Sequence, residues 1–188
     1  MVHKFNVKNI YKLDNEERRN ILPPEQTLLS LGVKKGDIVV DIGCGIGYFS
    51  IPAAIIVGDS GKIYSLDIHN EMLEETEKRA KDANITNIKT ILIPEDKLEF
   101  SEKASFVLLS TVLHELENKE KILSEVKDII ENGRIAIIEW NNVKGNFGPP
   151  IEQRIDKNVV AHMLKNIGFL NINTFDVGEN FYGITAEV

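Results

Sequence analysis

The segment VVDIGCGIGYFS, from Val39 to Ser50, combines three glycines, an aspartate and the only cysteine of the chain. Gly43, Gly45 and Gly47 lack Cβ atoms, so the backbone can turn sharply there and a ligand can approach the main chain closely. Such a turn can bind the pyrophosphate of a dinucleotide, bind a different nucleotide-like cofactor, or simply permit a tight bend. The residues around it distinguish these three possibilities.

The spacing of the glycines argues against a dinucleotide. Dinucleotide-binding turns follow the pattern G-x-G-x-x-G and place a pyrophosphate at a helix N-terminus. Here the pattern is G-x-G-x-G, and Asp41 lies two residues before the first glycine. A carboxylate repels a diphosphate and attracts an ammonium group. The turn therefore favours a cofactor that carries an amino group at this point.

Asp67 is the second indication of a nucleotide-like cofactor. It lies at the end of the second apolar run, KIYSLDI, where an acidic side chain can accept hydrogen bonds from both hydroxyls of a ribose. Taken alone, Asp67 could equally be a turn or capping residue before Asn70. Together with the glycine turn it predicts an adenosine cofactor with an amino-acid end.

Short apolar runs that alternate with amphipathic segments must position these residues. The strand-like runs cover residues 37–42, 62–68, 87–93, 104–110 and 134–140, and two closing β segments cover 169–178 and 180–188. Between the later runs, the periodicity predicts a helix that ends before Gly133 and another over Asp156–Ile167. The segment after Asp67 predicts a helix capped by Asn70. Its inward face comprises Met72, Leu73, Thr76 and Ala80.

This alternation predicts an α/β fold, a three-layer αβα Rossmann-like sandwich. Its sheet is seven-stranded and mostly parallel, with one antiparallel strand in the C-terminal pair, because the Gly-Glu-Asn turn is too short for a parallel crossover. We expect a single domain over residues 1–188. Residues 1–35 form an N-terminal cap or lid, and residues 36–188 form the Rossmann-like core.

Composition excludes several classes of function. The net charge of −7 among 188 residues lacks the basic footprint of a nucleic-acid-binding protein. The apolar runs are too short for a membrane span, and the N-terminus does not resemble a signal peptide. We therefore expect a cytoplasmic protein with no nucleic-acid partner. Oligomeric state is not encoded in any pattern of the sequence.

The motifs VVDIGCGIGYFS and IYSLDIHNEML together resemble those of class I S-adenosylmethionine-dependent methyltransferases. The most similar branch is that of small single-domain enzymes akin to the ubiquinone/menaquinone-biosynthesis methyltransferases. The resemblance implies S-adenosylmethionine as cofactor and S-adenosylhomocysteine as product. It further implies a cofactor site whose residues are Asp41, Gly43, Cys44, Gly45, Gly47, Asp67, Ile68, Glu95 and Ser110.

Within that site, the resemblance implies that Asp41 and the glycine turn face the methionine part, Asp67 the ribose and Ile68 the adenine. The family usually has an acidic residue after the third strand, where this chain has Pro94. Glu95, or else Asp96, is expected to replace it. Ser110 or Thr111 is expected to line the methionine side.

Methyl transfer from a sulfonium needs alignment, exclusion of water and, for some acceptors, removal of a proton. His114 follows the fourth strand and is the candidate base, although a histidine that begins a helix often only bonds a neighbour. We interpret Cys44 as a small buried residue and not as a nucleophile. The four histidines lack metal-ligand spacing, so no metal is expected.

Tyr11, Trp140 and Tyr182 are the candidates for a substrate pocket. Arg18 and Arg19 either bind an anionic substrate or are ordinary exposed helix charges. The sequence thus predicts methyl transfer to a small-molecule acceptor by in-line displacement. The alternatives are a non-catalytic S-adenosylmethionine-binding module and an NAD(P)-dependent oxidoreductase. The glycine spacing, Asp41 and the lack of a Tyr-x-x-x-Lys pair oppose the latter.

Overall fold

A computed structural model describes residue 10 and residues 13–143 and 148–188 of the chain. Its centre is a seven-stranded sheet in the order β3-β2-β1-β4-β5-β7-β6. The first five strands pair in parallel, and β7 runs antiparallel to both of its neighbours. The predicted fold class is therefore confirmed. The strands are β1 (Ile38–Ile42), β2 (Lys62–Asp67), β3 (Ile88–Leu92), β4 (Ala104–Ser110), β5 (Ile130–Trp140), β6 (Leu170–Val177) and β7 (Phe181–Glu187).

Helices cover both faces of this sheet because its central strands are apolar on both sides. Successive residues of a strand point to opposite faces. Val39 accordingly packs in a core with helices α2 and α3, and Val40 packs in a second core with α5 and α6. The helices are α1 (Glu16–Ile21), α2 (Pro24–Leu31), α3 (Ser50–Val57), α4 (Asn70–Asp82), α5 (Lys119–Ile129) and α6 (Lys157–Ile167). None of the helices in the described ranges is long and apolar enough to cross a membrane.

Helix α4 begins differently from the sequence-based prediction. Asn70 is already its first residue and His69 holds the cap position without a side-chain cap bond. The Asn70 amide instead donates to Glu74 Oε1 at 2.6 Å, one turn along the helix. The predicted cap was therefore wrong. The predicted inward face is confirmed, since Met72, Leu73, Thr76 and Ala80 are its buried residues.

The boundary between α5 and β5 also differs from the prediction. The helix ends at Ile129 and the strand begins at Ile130, so Gly133 lies inside β5 and does not follow a helix end. An added Cβ at Gly133 would overlap the backbone of Ser105, at an irregularity in the β4–β5 register. Glycine permits this close approach of two backbones.

Of the residues predicted to form an N-terminal cap, the structure describes α1, α2 and their connections. Asn15 caps α1 by accepting a hydrogen bond from Arg18 N at 2.8 Å. The Asp14 carboxylate accepts bonds from Arg19 at 2.6 Å and from Arg79 Nη1 of α4 at 2.7 Å. Asp14 thereby links the segment before α1 to α4.

Candidate functional site

A cavity of about 730 Å³ opens where the parallel strands end. Its walls come from the segments that follow β1, β2, β3, β4 and β5, together with residues of the N-terminal cap. In open α/β sheets, ligands bind in the crevice beyond the carboxyl ends of the strands. The position and the volume both suit a small-molecule site.

The glycine turn folds back onto the end of β2. Gly43 N and Cys44 N donate to Leu66 O at 2.7 and 3.0 Å, and Gly45 N donates to Asp67 Oδ2 at 2.9 Å. Gly43 has φ +67°, and an added Cβ would overlap the side chain of Val112. The turn therefore needs glycine here both for its backbone conformation and for its packing.

Gly47 has a different role from the other two glycines. It does not line the cavity, and an added Cβ there would lie 3.0 Å from Thr76 and 3.2 Å from Ile51. Thr76 Oγ1 also donates to Gly45 O at 2.9 Å. Gly47 thus lets the turn pack against α4.

Asp41 is a buried carboxyl group that also borders the cavity. It accepts a hydrogen bond from Ser50 Oγ at 2.6 Å, and Ser65 Oγ donates to Ser50 Oγ at 2.8 Å. Burial raises the pKa of Asp41 to about 7, the Ser50 bonds oppose this rise, and the nearby Asp67 charge adds to it. No cationic side chain of the described residues pairs with it, so a cation in the cavity would be attracted to Asp41.

Asp67 holds the glycine turn and still has room for further donors. Its Oδ2 accepts from Gly45 N, and its Oδ1 accepts from His69 N at 2.9 Å. A carboxylate offers about four lone-pair positions, so it can accept bonds from a ligand as well. Ile68, the next residue, lines the cavity and is 37% exposed.

The segments after β3 and β4 complete this side of the cavity. Pro94 and Glu95 line it, whereas Asp96 does not. Ser110 lines it too, and its buried hydroxyl has no hydrogen-bond partner within the described ranges. Thr111 has φ +56°, a conformation that β-branched residues rarely adopt. An unsatisfied hydroxyl and a strained residue are thus adjacent at the cavity wall.

His114 is buried at the cavity and is held by Glu139, which is completely buried at the end of β5. The ring Nδ1 lies 2.9 Å from Glu139 Oε2, and His114 N donates to Oε1 at 3.1 Å. Burial alone lowers the pKa of His114, but the hydrogen bond and charge of Glu139 raise it on balance. Glu139 also accepts from Trp140 N at 3.3 Å. A carboxylate accepts only, so Nδ1 carries the proton and Nε2 is the nitrogen able to exchange one.

Trp140 lines the cavity, stacked at 4.3 Å between ring centroids on Phe181. Arg154 fastens the chain beside it, with Nη1 donating to Asn141 O at 2.6 Å and to Val143 O at 2.9 Å. Arg154 Nε also donates to Pro149 O at 3.0 Å, and its guanidinium lies 5.6 Å from the Trp140 ring.

Of the other two residues predicted for the substrate pocket, the structure describes only Tyr182. Tyr182 is buried, its hydroxyl donates to Ile155 O at 2.8 Å, and it does not line the cavity. Tyr11 lies outside the described residues.

Cys44 is buried in the glycine turn, with Sγ 3.6 Å from Gly45 O. Burial raises the pKa of the thiol well above its usual value, and the charges of Asp41 and Asp67 add to that rise. Since the thiolate is the reactive form, this environment suits a packing residue and not a nucleophile.

The sequence interpretation missed Glu139 as the partner of His114. The available signal was an acidic residue at the end of an apolar run, because an isolated buried carboxylate is costly. Arg18 and Arg19 were both candidates for binding an anionic substrate, and only Arg18 of the two lines the cavity. Its burial depends on the docking of α1, which no local pattern reveals.

A family model described as a methyltransferase domain matches residues 33–180. Among solved structures, an S-adenosylmethionine-dependent methyltransferase from Aquifex aeolicus superposes with a TM-score of 0.91 and 28% identity. That match covers 97% of this chain and 98% of the other.

Two curated relatives are similar over shorter stretches. A protein-L-isoaspartate O-methyltransferase of Fervidobacterium nodosum is 33% identical over 107 residues, which cover 57% of this chain and 52% of the relative. A demethylmenaquinone methyltransferase of a Geobacillus species is 27% identical over 124 residues, 65% of this chain and 53% of the relative. The chain spans about half the length of these two relatives.

Proposed function

Because the chain belongs to the methyltransferase-domain family, we propose that it methylates a small-molecule acceptor. Within that family it is a class I S-adenosylmethionine-dependent methyltransferase that resembles the ubiquinone/menaquinone-biosynthesis enzymes. The family, the enzyme class and the cofactor predicted from the sequence are confirmed by this membership. The acceptor, the residue roles and the division into a cap and a core are proposals.

The observation that carries the cofactor assignment is the buried Asp41 carboxylate beside a glycine turn that Asp67 holds in place. Asp41 would attract the amino group of the methionine part, and Asp67 would accept the ribose hydroxyls. The buried Ser110 hydroxyl, which has no protein partner among the described residues, would bond the same ligand. Gly43, Cys44 and Gly45 would offer their backbone, and Ile68 and Glu95 would border the adenine.

When bound, S-adenosylmethionine would supply a methyl group on a positively charged sulfur, and the electron pair of the acceptor would bond the methyl carbon as the carbon–sulfur bond breaks. The chain must then orient that acceptor and accept its proton. His114 Nε2 fits this task because Glu139 fixes the ring and holds the proton on Nδ1. We therefore assign His114 as general base and expect an acceptor whose attacking group carries an ionisable proton.

The walls of the cavity support an acceptor with apolar surface. Leu98, Leu116 and Trp140 line the same cavity as His114, and so do Leu13 and Ile21 of the N-terminal segment. Apolar walls exclude water, which would otherwise compete for the methyl group and weaken the electrostatic orientation of the acceptor. Residues 13–35 and the segment after β5 would act as the cover of the site.

Two measurements test the proposal. Calorimetry should show binding of S-adenosylmethionine and S-adenosylhomocysteine and no binding of NAD. Release of labelled methyl should then be assayed with hydroxyl, amine and activated-carbon acceptors, and His114→Gln should reduce kcat by about 10²- to 10⁴-fold. NAD binding without S-adenosylmethionine binding would overturn the cofactor assignment. Cofactor binding with no transfer to any acceptor would indicate a binding module instead of an enzyme.

A further inference from the structure

The α1 segment, residues 13–21, is a wall of the cavity that has little burial of its own. All of its residues are half-buried or exposed. The residues of this segment that line the cavity are Leu13, Asn15, Glu17, Arg18 and Ile21. The next helix, α2, is different, because it buries Thr27, Leu28 and Leu31. Segments that bury few side chains open locally at a lower free energy than the rest of a fold. The α1 segment can therefore open while α2 stays packed.

Leu22 fixes the C-terminal end of this segment. Its side chain is completely buried, and its carbonyl accepts a hydrogen bond from Tyr48 Oη at 2.6 Å. Helix α1 ends just before it, because Leu22 has the non-helical backbone angles φ −145° and ψ 66°. Pro23 and Pro24 follow, and their rings hold φ near −65°. A movement of the α1 segment would therefore turn about Leu22.

Asp14 holds the other end of the segment to α4. Its carboxylate accepts hydrogen bonds from Arg79 Nη1 at 2.7 Å and from Arg19 Nε at 2.6 Å, and its side chain is 10% exposed. Burial raises the pKa of Asp14, but the bonds and charges of the two arginines lower it on balance. Arg79 is itself fixed within α4, where its Nε donates to Glu75 Oε1 at 3.0 Å. Neither Asp14 nor Arg79 lines the cavity.

We propose that the α1 segment is a cover that is hinged at Leu22 and latched by the Asp14–Arg79 ion pair, and that opening of this latch sets the rate at which a ligand leaves the cavity. The inference rests on the proposed function, because it takes the cavity as the site of the cofactor and of S-adenosylhomocysteine. That product must leave before the next cofactor binds. A weaker latch raises the population of the open state and with it the rate of dissociation. The latch acts from outside the cavity, so it changes no contact to the ligand.

The first test compares Asp14→Asn with Glu75→Gln as the matched control. The rate of dissociation of S-adenosylhomocysteine is measured by surface plasmon resonance. Asp14→Asn keeps the shape of the side chain and removes its charge, so dissociation should be about tenfold faster. Glu75→Gln removes a carboxylate from the same arginine within α4 and should change the rate by about twofold at most. Equal rates in Asp14→Asn and the unmodified protein would refute the latch.

A double variant tests whether Asp14 and Arg79 act through each other. Arg79→Gln should speed dissociation as Asp14→Asn does. In Asp14→Asn/Arg79→Gln the second substitution has no ion pair left to remove, so the double variant should dissociate no faster than the faster single variant. Two effects that simply multiply would contradict the proposed pair.

Hydrogen exchange in the ligand-free protein separates opening of the cover from loss of stability. In Asp14→Asn the amides of residues 13–21 should exchange about tenfold faster, while those of α2 and β4 keep their rates. Faster exchange throughout the chain would mean that Asp14 stabilises the whole fold, and the latch would then be wrong.

Binding by the unmodified protein distinguishes this inference from the proposed function. If the unmodified protein does not bind S-adenosylhomocysteine, the proposed function fails and this inference fails with it. If binding is intact and Asp14→Asn leaves the dissociation rate unchanged, the inference alone fails.

Discussion

His114 and Glu139 meet across two neighbouring strands, with Nδ1 of the ring 2.9 Å from Oε2 of the carboxylate. His114 follows β4 and Glu139 lies near the end of β5, and the register that pairs Ser110 with Ile138 brings them together. In the proposed function, Glu139 would therefore act on the reaction through His114, as a positioning residue.

Replacing Glu139 with Gln should lower the pKa of His114. The carboxylate is the main group that favours the protonated imidazole, and an amide supplies no charge. The pKa is measured from the His114 ring proton by NMR. Glu115→Gln is the control and should give a smaller decrease, because Glu115 Oε1 lies 3.7 Å from Nε2.

The pH at which the rate of methyl transfer rises should be lower in Glu139→Gln than in the unmodified protein. His114 accepts a proton only when it is neutral, so kcat should rise with pH through the elevated pKa of the unmodified protein. In Glu139→Gln that rise should occur at lower pH. A reduced kcat with an unshifted pH profile would mean that Glu139 has a structural role alone.

Asp41 should make cofactor binding dependent on pH. Its pKa of about 7 leaves it mostly protonated at pH 6, and a bound ammonium group favours the ionised form. Affinity for S-adenosylhomocysteine should therefore rise between about pH 5.5 and 7.5, and binding at pH 6 should release a proton. Calorimetry in buffers of different ionisation enthalpy measures that release, which Asp41→Asn should abolish.

The same carboxyl should affect the stability of the ligand-free protein with the opposite sign. Its pKa is raised in the folded state, so folding binds a proton between the unfolded pKa near 3.8 and the folded value near 7. The contribution of Asp41 to stability consequently falls as the pH rises through this window. Asp41→Asn should gain in melting temperature relative to the unmodified protein at pH 8 and not at pH 4.

Alanine at Gly43 should be damaging both through backbone strain and through overlap with a neighbouring side chain. Gly43 and Gly58 have positive φ values of +67° and +65°, and the ψ of −168° at Gly58 lies in a region almost restricted to glycine, so Gly58→Ala tests backbone strain without overlap. Only at Gly43 would the new Cβ meet another side chain, that of Val112, whereas nothing lies within 4 Å at Gly58. The extra overlap should cost about 1–3 kcal/mol in denaturant unfolding.

Val112→Ala provides the matched rescue of that variant. In Gly43→Ala/Val112→Ala the overlapping methyl groups are gone, so much of the additional loss should be recovered. A double variant no more stable than Gly43→Ala would show that contact with Val112 is not the reason for glycine at this position.

Arg154 should stabilise the chain around Trp140. Arg154→Met removes donors to the carbonyls of Asn141, Val143 and Pro149 and should lower the free energy of unfolding by about 2–4 kcal/mol. The emission of Trp140, the single tryptophan, should change as well. Arg134→Met is the control at a half-exposed pair with Glu187, and a loss of about 0–1 kcal/mol is expected. Equal losses of unfolding free energy in Arg154→Met and Arg134→Met would contradict this stabilising role of Arg154.

The fold was predictable because the central strands consist mostly of buried apolar residues, and because α4, α5 and α6 are amphipathic. One error arises where a distant contact decides the local structure, and the other where a contact one helical turn away does so. Gly133 resembles a helix terminator, but the nearby Ser105 backbone places it in a strand. Asn70 resembles a cap, but its amide finds Glu74 within the helix.

The positions of the residues proposed for the cofactor were more predictable than those proposed for the acceptor, for a physical reason. Asp41 and Asp67 lie in or directly after strands, so their position follows from the sheet. The pairing of His114 with Glu139 depends on the register of β4 and β5. The burial of Arg18 depends on α1 docking against Tyr48. Such relationships join segments far apart in sequence and leave no local pattern.

The strand order has a consequence for how the protein matures. Asp41 and Ser110 become neighbours in the cavity wall only when β1 pairs with β4, whose Leu109 aligns with Ile42. That pairing joins segments with β2 and β3 between them in the chain, and such distant contacts are slow to form. A refolding chain should regain its helical signal before it can capture its ligand. Ligand binding by a refolding chain therefore indicates that β1 and β4 have paired.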